Sequence, residues 1–148
     1  MALHDHLLSR STHIRTVHAG STDGTSVLDS AFIDMAGYTG LVVYGSLSAT
    51  ATDNGIDILC STDSTTTAAE DVLDSRGVAT STAILVDVNP WPVGKRYAFG
   101  RYIRNTTAIA GKMVAIKYGA RKLPVDNATT TQVHKTVVNS STGQSTST

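Results

Sequence analysis

At 148 residues the chain can bury one core of its own but not two, and only 16% of it is charged, well below the roughly 25% of ordinary soluble domains. Lys plus Arg and Asp plus Glu number 12 each, for a formal net charge of +0. No overall field therefore draws in phosphate backbones or acidic membranes, which disfavours general nucleic-acid binding.

The first residues, Met1-Ala2-Leu3-His4-Asp5-His6-Leu7-Leu8, carry neither a basic leader nor an adequate apolar h-region. No run approaches the ~18 apolar residues of a membrane span. The chain is therefore expected to be made and folded in a cytoplasm, and no membrane partner is expected. His4 and His6 flank Asp5, but no third or fourth ligand follows at a defined spacing, and His13, His18 and His134 do not supply one. The segment reads as a solvated terminus, and no metal is expected.

Beyond it, short β-branched or aromatic runs alternate with Gly, Asp, Asn, Pro and Thr at roughly ten-residue spacing, the signature of an antiparallel sandwich or barrel. Candidate strands cover 12–18, 26–33, 40–48, 55–61, 82–88, 96–105, 112–120 and 133–138. Eight strands fit a jelly roll, so the expected class is all-β: a jelly-roll-like antiparallel β-sandwich with extended N- and C-terminal arms.

Within the first strand, Ile14 and Val17 bracket Arg15 and Thr16 without strict alternation. Leu41-Val42-Val43-Tyr44 and Ala83-Ile84-Leu85-Val86 are continuous apolar runs. Such strands are covered on both sides, within the fold or by a neighbouring subunit, and are expected at the sheet centres. Asp53-Asn54-Gly55 with Asp57 lacks the spacing and the bidentate Glu of a calcium loop, so Asn54-Gly55 reads as a tight turn. Cys60, the single cysteine, sits in the apolar run Ile56-Asp57-Ile58-Leu59-Cys60 and reads as a buried core thiol.

The polar stretch 61–82 looks like the long connection of a Greek key. Its Thr67-Ala68-Ala69-Glu70-Asp71-Val72-Leu73 is the one plausible helix, closed by Asp74-Ser75-Arg76-Gly77. Asn89-Pro90-Trp91-Pro92-Val93-Gly94 should form a rigid extended corner, with Trp91 as its packing anchor.

In the last strands Tyr97, Phe99, Arg101 and Ile103 oppose Ala98, Gly100, Tyr102 and Arg104, while Met113, Ala115 and Lys117 oppose Val114, Ile116 and Tyr118. One face is buried and the other left to solvent or a partner. The cations Lys95, Arg96, Arg101, Arg104, Lys112, Lys117, Arg121 and Lys122 gather here, and the acids lie mostly earlier. That asymmetry suits either subunit contacts or plain solvated faces.

After Pro124 the chain turns to Thr, Asn, Ser and Gln, a composition with little to bury. The domain organisation is thus residues 1–18 as N-terminal arm and first strand, 19–124 as the sandwich, and 125–148 as a C-terminal arm. The glycosylation-type triplets at Asn105, Asn127 and Asn139 are chance matches in a Ser/Thr-rich chain. No G-x-S-x-G elbow presents a nucleophile, so no catalytic residue, cofactor or small-molecule ligand is expected and the chain reads as non-enzymatic.

From Ser30 the order of features resembles the head decoration, or capsid cement, proteins of tailed bacteriophages, small virion proteins encoded beside the major capsid protein. The resemblance rests on Ser30-Ala31-Phe32-Ile33-Asp34-Met35-Ala36-Gly37-Tyr38-Thr39-Gly40-Leu41-Val42-Val43 and Ile56-Asp57-Ile58-Leu59-Cys60-Ser61-Thr62-Asp63. It continues through Leu85-Val86-Asp87-Val88-Asn89-Pro90, Arg96-Tyr97-Ala98-Phe99-Gly100-Arg101-Tyr102 and Ile116-Lys117-Tyr118-Gly119-Ala120-Arg121-Lys122-Leu123-Pro124. It implies a jelly-roll-like sandwich, trimeric assembly, the major capsid protein as partner and the virion surface as location. An edge strand, the segment 2–18 and the C-terminal arm are the natural docking elements. A tail or head-tail joining protein of the same fold, or a carbohydrate-binding sandwich using Trp91 and exposed tyrosines, remain alternatives.

Overall fold

The computed structural model describes residues 12–121. Twelve strands make up its regular structure: β1 (His13–His18), β2 (Asp23–Gly24), β3 (Leu28–Asp29), β4 (Ile33–Asp34), β5 (Gly40–Ser46), β6 (Ala51–Ser61), β7 (Glu70–Asp71), β8 (Gly77–Ala79), β9 (Ala83–Val88), β10 (Tyr97–Arg104), β11 (Ala108–Ile109) and β12 (Met113–Tyr118). One sheet runs β1-β12-β5-β9. The second runs β3-β10-β6-β7, with β4 also on β10 and β8 on β6, and β2 and β11 form a small ribbon.

Followed along the chain, the path crosses between the two sheets at nearly every step: β1, then β3 and β4 opposite, β5 back, β6 over with β7 and β8 beside it, β9 back, β10 over, β12 back. Every pairing is antiparallel. This is the two-Greek-key wrapping of a jelly roll, with two of the eight positions split into short pairs of strands. The expected jelly-roll-like sandwich is the fold observed.

The core lies between the sheets. Leu41 and Val43 of β5, Ile84 and Val86 of β9, and Met113 and Ala115 of β12 face Ile56, Ile58 and Cys60 of β6 and Ala98 and Tyr102 of β10. Period-two alternation put these side chains on one face of each strand. Tyr102 ties the layers together: its buried hydroxyl accepts from the Ser46 N–H (3.1 Å) and donates to the Gly111 carbonyl (3.2 Å). Gly45 leaves the space for it, since a Cβ there would strike the Tyr102 hydroxyl. Cys60 is buried and free, with burial raising its thiol pKa, as a core cysteine should be.

Several expectations need correction. No helix forms among the described residues. The chain at Thr66 to Ala69 makes only a turn (Ala69 N–H to Thr66 O, 3.2 Å), after which Glu70–Asp71 pairs with β6 and Val72 N–H bonds to Ile58 O at 2.8 Å. Seven residues nucleate a helix poorly alone, and the open edge of β6 offers their backbone a better set of partners. Asn54-Gly55 is no turn but the interior of β6. The buried Asn54 amide exchanges bonds with the Thr106 backbone (2.9 and 2.8 Å), and Gly55 lets β8 approach, since a Cβ would meet the Gly77 carbonyl.

β9 lies at the end of its sheet rather than the centre, although β5 is central as expected. The expected strand 26–33 is broken into β3 and β4, because between them the Ser30 hydroxyl rather than a carbonyl accepts the Gly100 N–H, and the Ala31 N–H turns away to the Val17 carbonyl of β1. The irregular alternation near Val17 is a register shift between Thr16 and His18 against β12. β1 is a full member of the sandwich. The expected strand 133–138, residues 1–11 of the N-terminal arm and the C-terminal arm lie outside the described residues.

Candidate functional site

The two sheets present different outer faces. On the six-stranded sheet, Arg101 stands in register between Asp29 and Asp57. Its guanidinium grips Asp29 by two bonds (2.6 and 3.0 Å), and Asp57 reaches Arg76 at 3.6 Å. Further along, Arg96 holds Asp34 in the same bidentate way (3.1 and 2.8 Å), which keeps the Asp34 carboxyl below its ordinary value. This face carries bidentate ion pairs, beside the half-exposed Phe32, which packs edge-on to Tyr97.

The outer face of the four-stranded sheet is built differently. One cross-strand row reads Thr16, Val114, Tyr44, Leu85, and the next Ile14, Ile116, Val42, Asp87. Tyr44 is 43% and Leu85 63% exposed. Only Asp87 is charged, and Tyr118, whose ring lies across the Cβ position of Gly40, donates to it at 2.6 Å. Burial, reinforced by the Asp87 carboxylate, pushes the Tyr118 hydroxyl up to about 12. Antiparallel sheets with one wet face normally alternate apolar and polar residues; here the apolar runs of β5 and β9 place apolar groups on both faces.

The clustered cations are mostly engaged within the fold. Arg96, Arg101 and Lys95 pair with Asp34, Asp29 and Glu70. Lys117 donates to the Asp34 carbonyl (2.8 Å) and lies 4.3 Å from the Tyr38 ring centroid, with burial lowering its pKa. Arg104 is buried and bonded to the Ala108 carbonyl of β11 and to the Thr22 and Ser26 carbonyls on either side of β2. The acidic first half and basic second half thus find each other inside one chain, a complementarity visible in sequence only as an asymmetry. Lys122 lies outside the described residues.

Among the described residues no group of three His, Cys, Asp or Glu could hold a metal ion. His18 accepts the Gly20 N–H on Nδ1 (3.0 Å) and sits edge-on to Tyr102, inside the sandwich, whereas Asp57 lies on the outer face of the six-stranded sheet. The sequence therefore does not fold these two into one site. His4, Asp5, His6 and His134 lie outside the described residues. Trp91 is only 8% exposed, with its indole N–H on the Lys95 carbonyl at 2.6 Å and its backbone N–H on the Thr39 carbonyl at 2.8 Å. It anchors the proline corner, as its sequence setting suggested.

Neither a family model, nor a curated protein, nor a solved structure matches this chain.

Proposed function

We propose that this protein is a non-enzymatic structural component of a particle, a decoration protein that binds the major capsid protein on the outside of a tailed-bacteriophage shell and associates with copies of itself, as a homotrimer. The observation that carries this reading is the apolar outer face of the β1-β12-β5-β9 sheet, opposite an ion-paired face on the same molecule. An apolar, charge-poor, aromatic-bearing patch has the composition of an interface core. Six residues at ~3.4 Å along each strand and four strands at ~4.8 Å give a plane of ~400 Å² per copy, small for a lone stable complex. Contacts of that size hold when symmetry repeats them over a shell, which is the mode of action of a cement protein. The carbohydrate alternative is left to the exposed tyrosines, because Trp91 is only 8% exposed.

The test is the copy number of this chain in purified particles, by quantitative mass spectrometry against the major capsid protein. Hundreds of copies support decoration, a handful places it in the tail or connector, and absence refutes the particle reading. Replacing Leu85→Thr and Tyr44→Thr together, both on the exposed face and directly opposite each other, keeps strand-favouring residues without placing like charges face to face; it should abolish particle binding while shifting the melting temperature of the free protein only slightly.

A further inference from the structure

Away from the apolar face, the Met35 to Thr39 turn and the proline corner enclose a cleft of about 350 Å³. Its apolar lining comes from Met35, Tyr38, Trp91, Pro90, Pro92 and the fully exposed Val93. The walls are bonded to one another: Trp91 N–H to Thr39 O, Met35 N–H to the Arg96 carbonyl, and Arg121 N–H to Gly37 O, each 2.8 Å. Two left-handed glycines, Gly37 (φ 83) and Gly94 (φ 80), turn the lips, and neither has an atom near its missing Cβ. The cleft is thus formed before any ligand arrives, which removes much of the ordering cost of binding.

Its charge is one-sided. Lys95 and Arg121 line it, and among the described residues no Asp or Glu does. Lys95 is partly neutralised by Glu70 at 2.9 Å, and the Lys117 ammonium sits over the Tyr38 ring. Among the described residues Arg121 has no carboxylate partner. Nor does any described residue of the lining offer an Asn or Gln side chain to sugar hydroxyls.

We propose that this cleft receives an extended segment of a partner protein in which an aromatic or aliphatic side chain is followed by a carboxylate. The volume lies at the small end of ligand sites, ~300 Å³ upward, enough for one large side chain and its backbone. The apolar side chain packs against Tyr38, Met35 and the prolines, while the carboxylate meets the Arg121 guanidinium, whose planar fork suits bidentate capture. This inference does not depend on the particle reading, since its surface is separate from the apolar sheet face.

Trp91 is the sole tryptophan, so its emission reports the cleft directly. The full-length protein is titrated with acetyl-Phe-Asp-amide and with its neutral counterpart, acetyl-Phe-Asn-amide. The acidic peptide is expected to give a saturable change and to bind about tenfold tighter than the neutral one, the value of one charge-assisted bond. Arg121→Gln should bring the two peptides to equal affinity, and Val93→Asp, at an exposed rim position, should weaken the acidic one selectively. No saturable change with either peptide at ~10 mM, or equal binding by both in the parent protein, overturns the proposal. Loss of the shell interaction with this binding intact would refute only the particle reading.

Discussion

Arg104 is 4% exposed, and its guanidinium is bound by neutral oxygens: Nε to the Ser26 carbonyl (2.8 Å), and Nη1 to the Thr22 carbonyl (3.0 Å), the Ala108 carbonyl (2.8 Å) and the Ser21 hydroxyl (3.1 Å). It thereby fastens the β2–β11 ribbon and the chain leading to β3 onto the end of β10. Arg104→Met keeps the stem and removes all four bonds. Each bond to a charged donor contributes about 1.5–3 kcal/mol net, but the ribbon is near the surface and its freed carbonyls can rehydrate. The expected loss is therefore about 3–5 kcal/mol, at the upper end of single substitutions. At about 4 °C per kcal/mol for a domain of this size, melting falls by about 12–20 °C. Arg104→Lys keeps the charge without the fork and should lose about half as much. Urea unfolding followed by Trp91 fluorescence measures both. An Arg104→Met midpoint within about 0.5 kcal/mol of the parent, a typical surface effect, would refute the idea that this network fastens the ribbon.

Two further expectations concern the six-stranded sheet. Gly55→Ala should cost about 2–3 kcal/mol by chemical denaturation, because the new methyl meets the rigid Gly77 carbonyl rather than a side chain that can swing aside. Asp34 and Asp57 should show opposite pH linkage. The Arg96 hydrogen bonds lower the Asp34 pKa, so its stabilisation is complete above the unfolded value, near 3.8, and is lost as pH falls through the folded value. Burial raises the Asp57 pKa, and among the described residues its Oδ1 has no hydrogen-bond partner, so its penalty is absent below the unfolded value and grows as pH rises toward the folded one. Urea midpoints from pH 2 to 7 should therefore rise less steeply with pH in Asp34→Asn, and more steeply in Asp57→Asn, than in the parent. Identical slopes in all three proteins would refute both assignments.

The sequence alone carried the class of fold and most strand positions, because alternation in β10 and β12 and apolar runs in β5 and β9 are local signals that each strand repeats several times. It also placed Cys60 in the core and gave Trp91 its anchoring part, since both sit in unambiguous local settings. Elements of two or three residues escaped it. Glu70–Asp71 and Gly77–Ala79 become strands only because β6 offers them an edge, a partner more than a dozen residues of path away in some pairings and invisible to any local pattern. Asn54-Gly55 misled for the same reason: its turn propensity was overridden by Thr106 and Gly77, brought from distant parts of the chain. The candidate surfaces divide likewise. The double-sided apolar character of Leu41-Val42-Val43-Tyr44 and Ala83-Ile84-Leu85-Val86 was legible, but not that the outer sides align as rows across four strands, because register is fixed by pairing. The basic last strands were legible too. Which cations are neutralised, and which one faces an open cleft with no carboxylate partner among the described residues, was decided only when folding set Asp29, Asp34 and Glu70 against Arg101, Arg96 and Lys95 and left Arg121 at the lip.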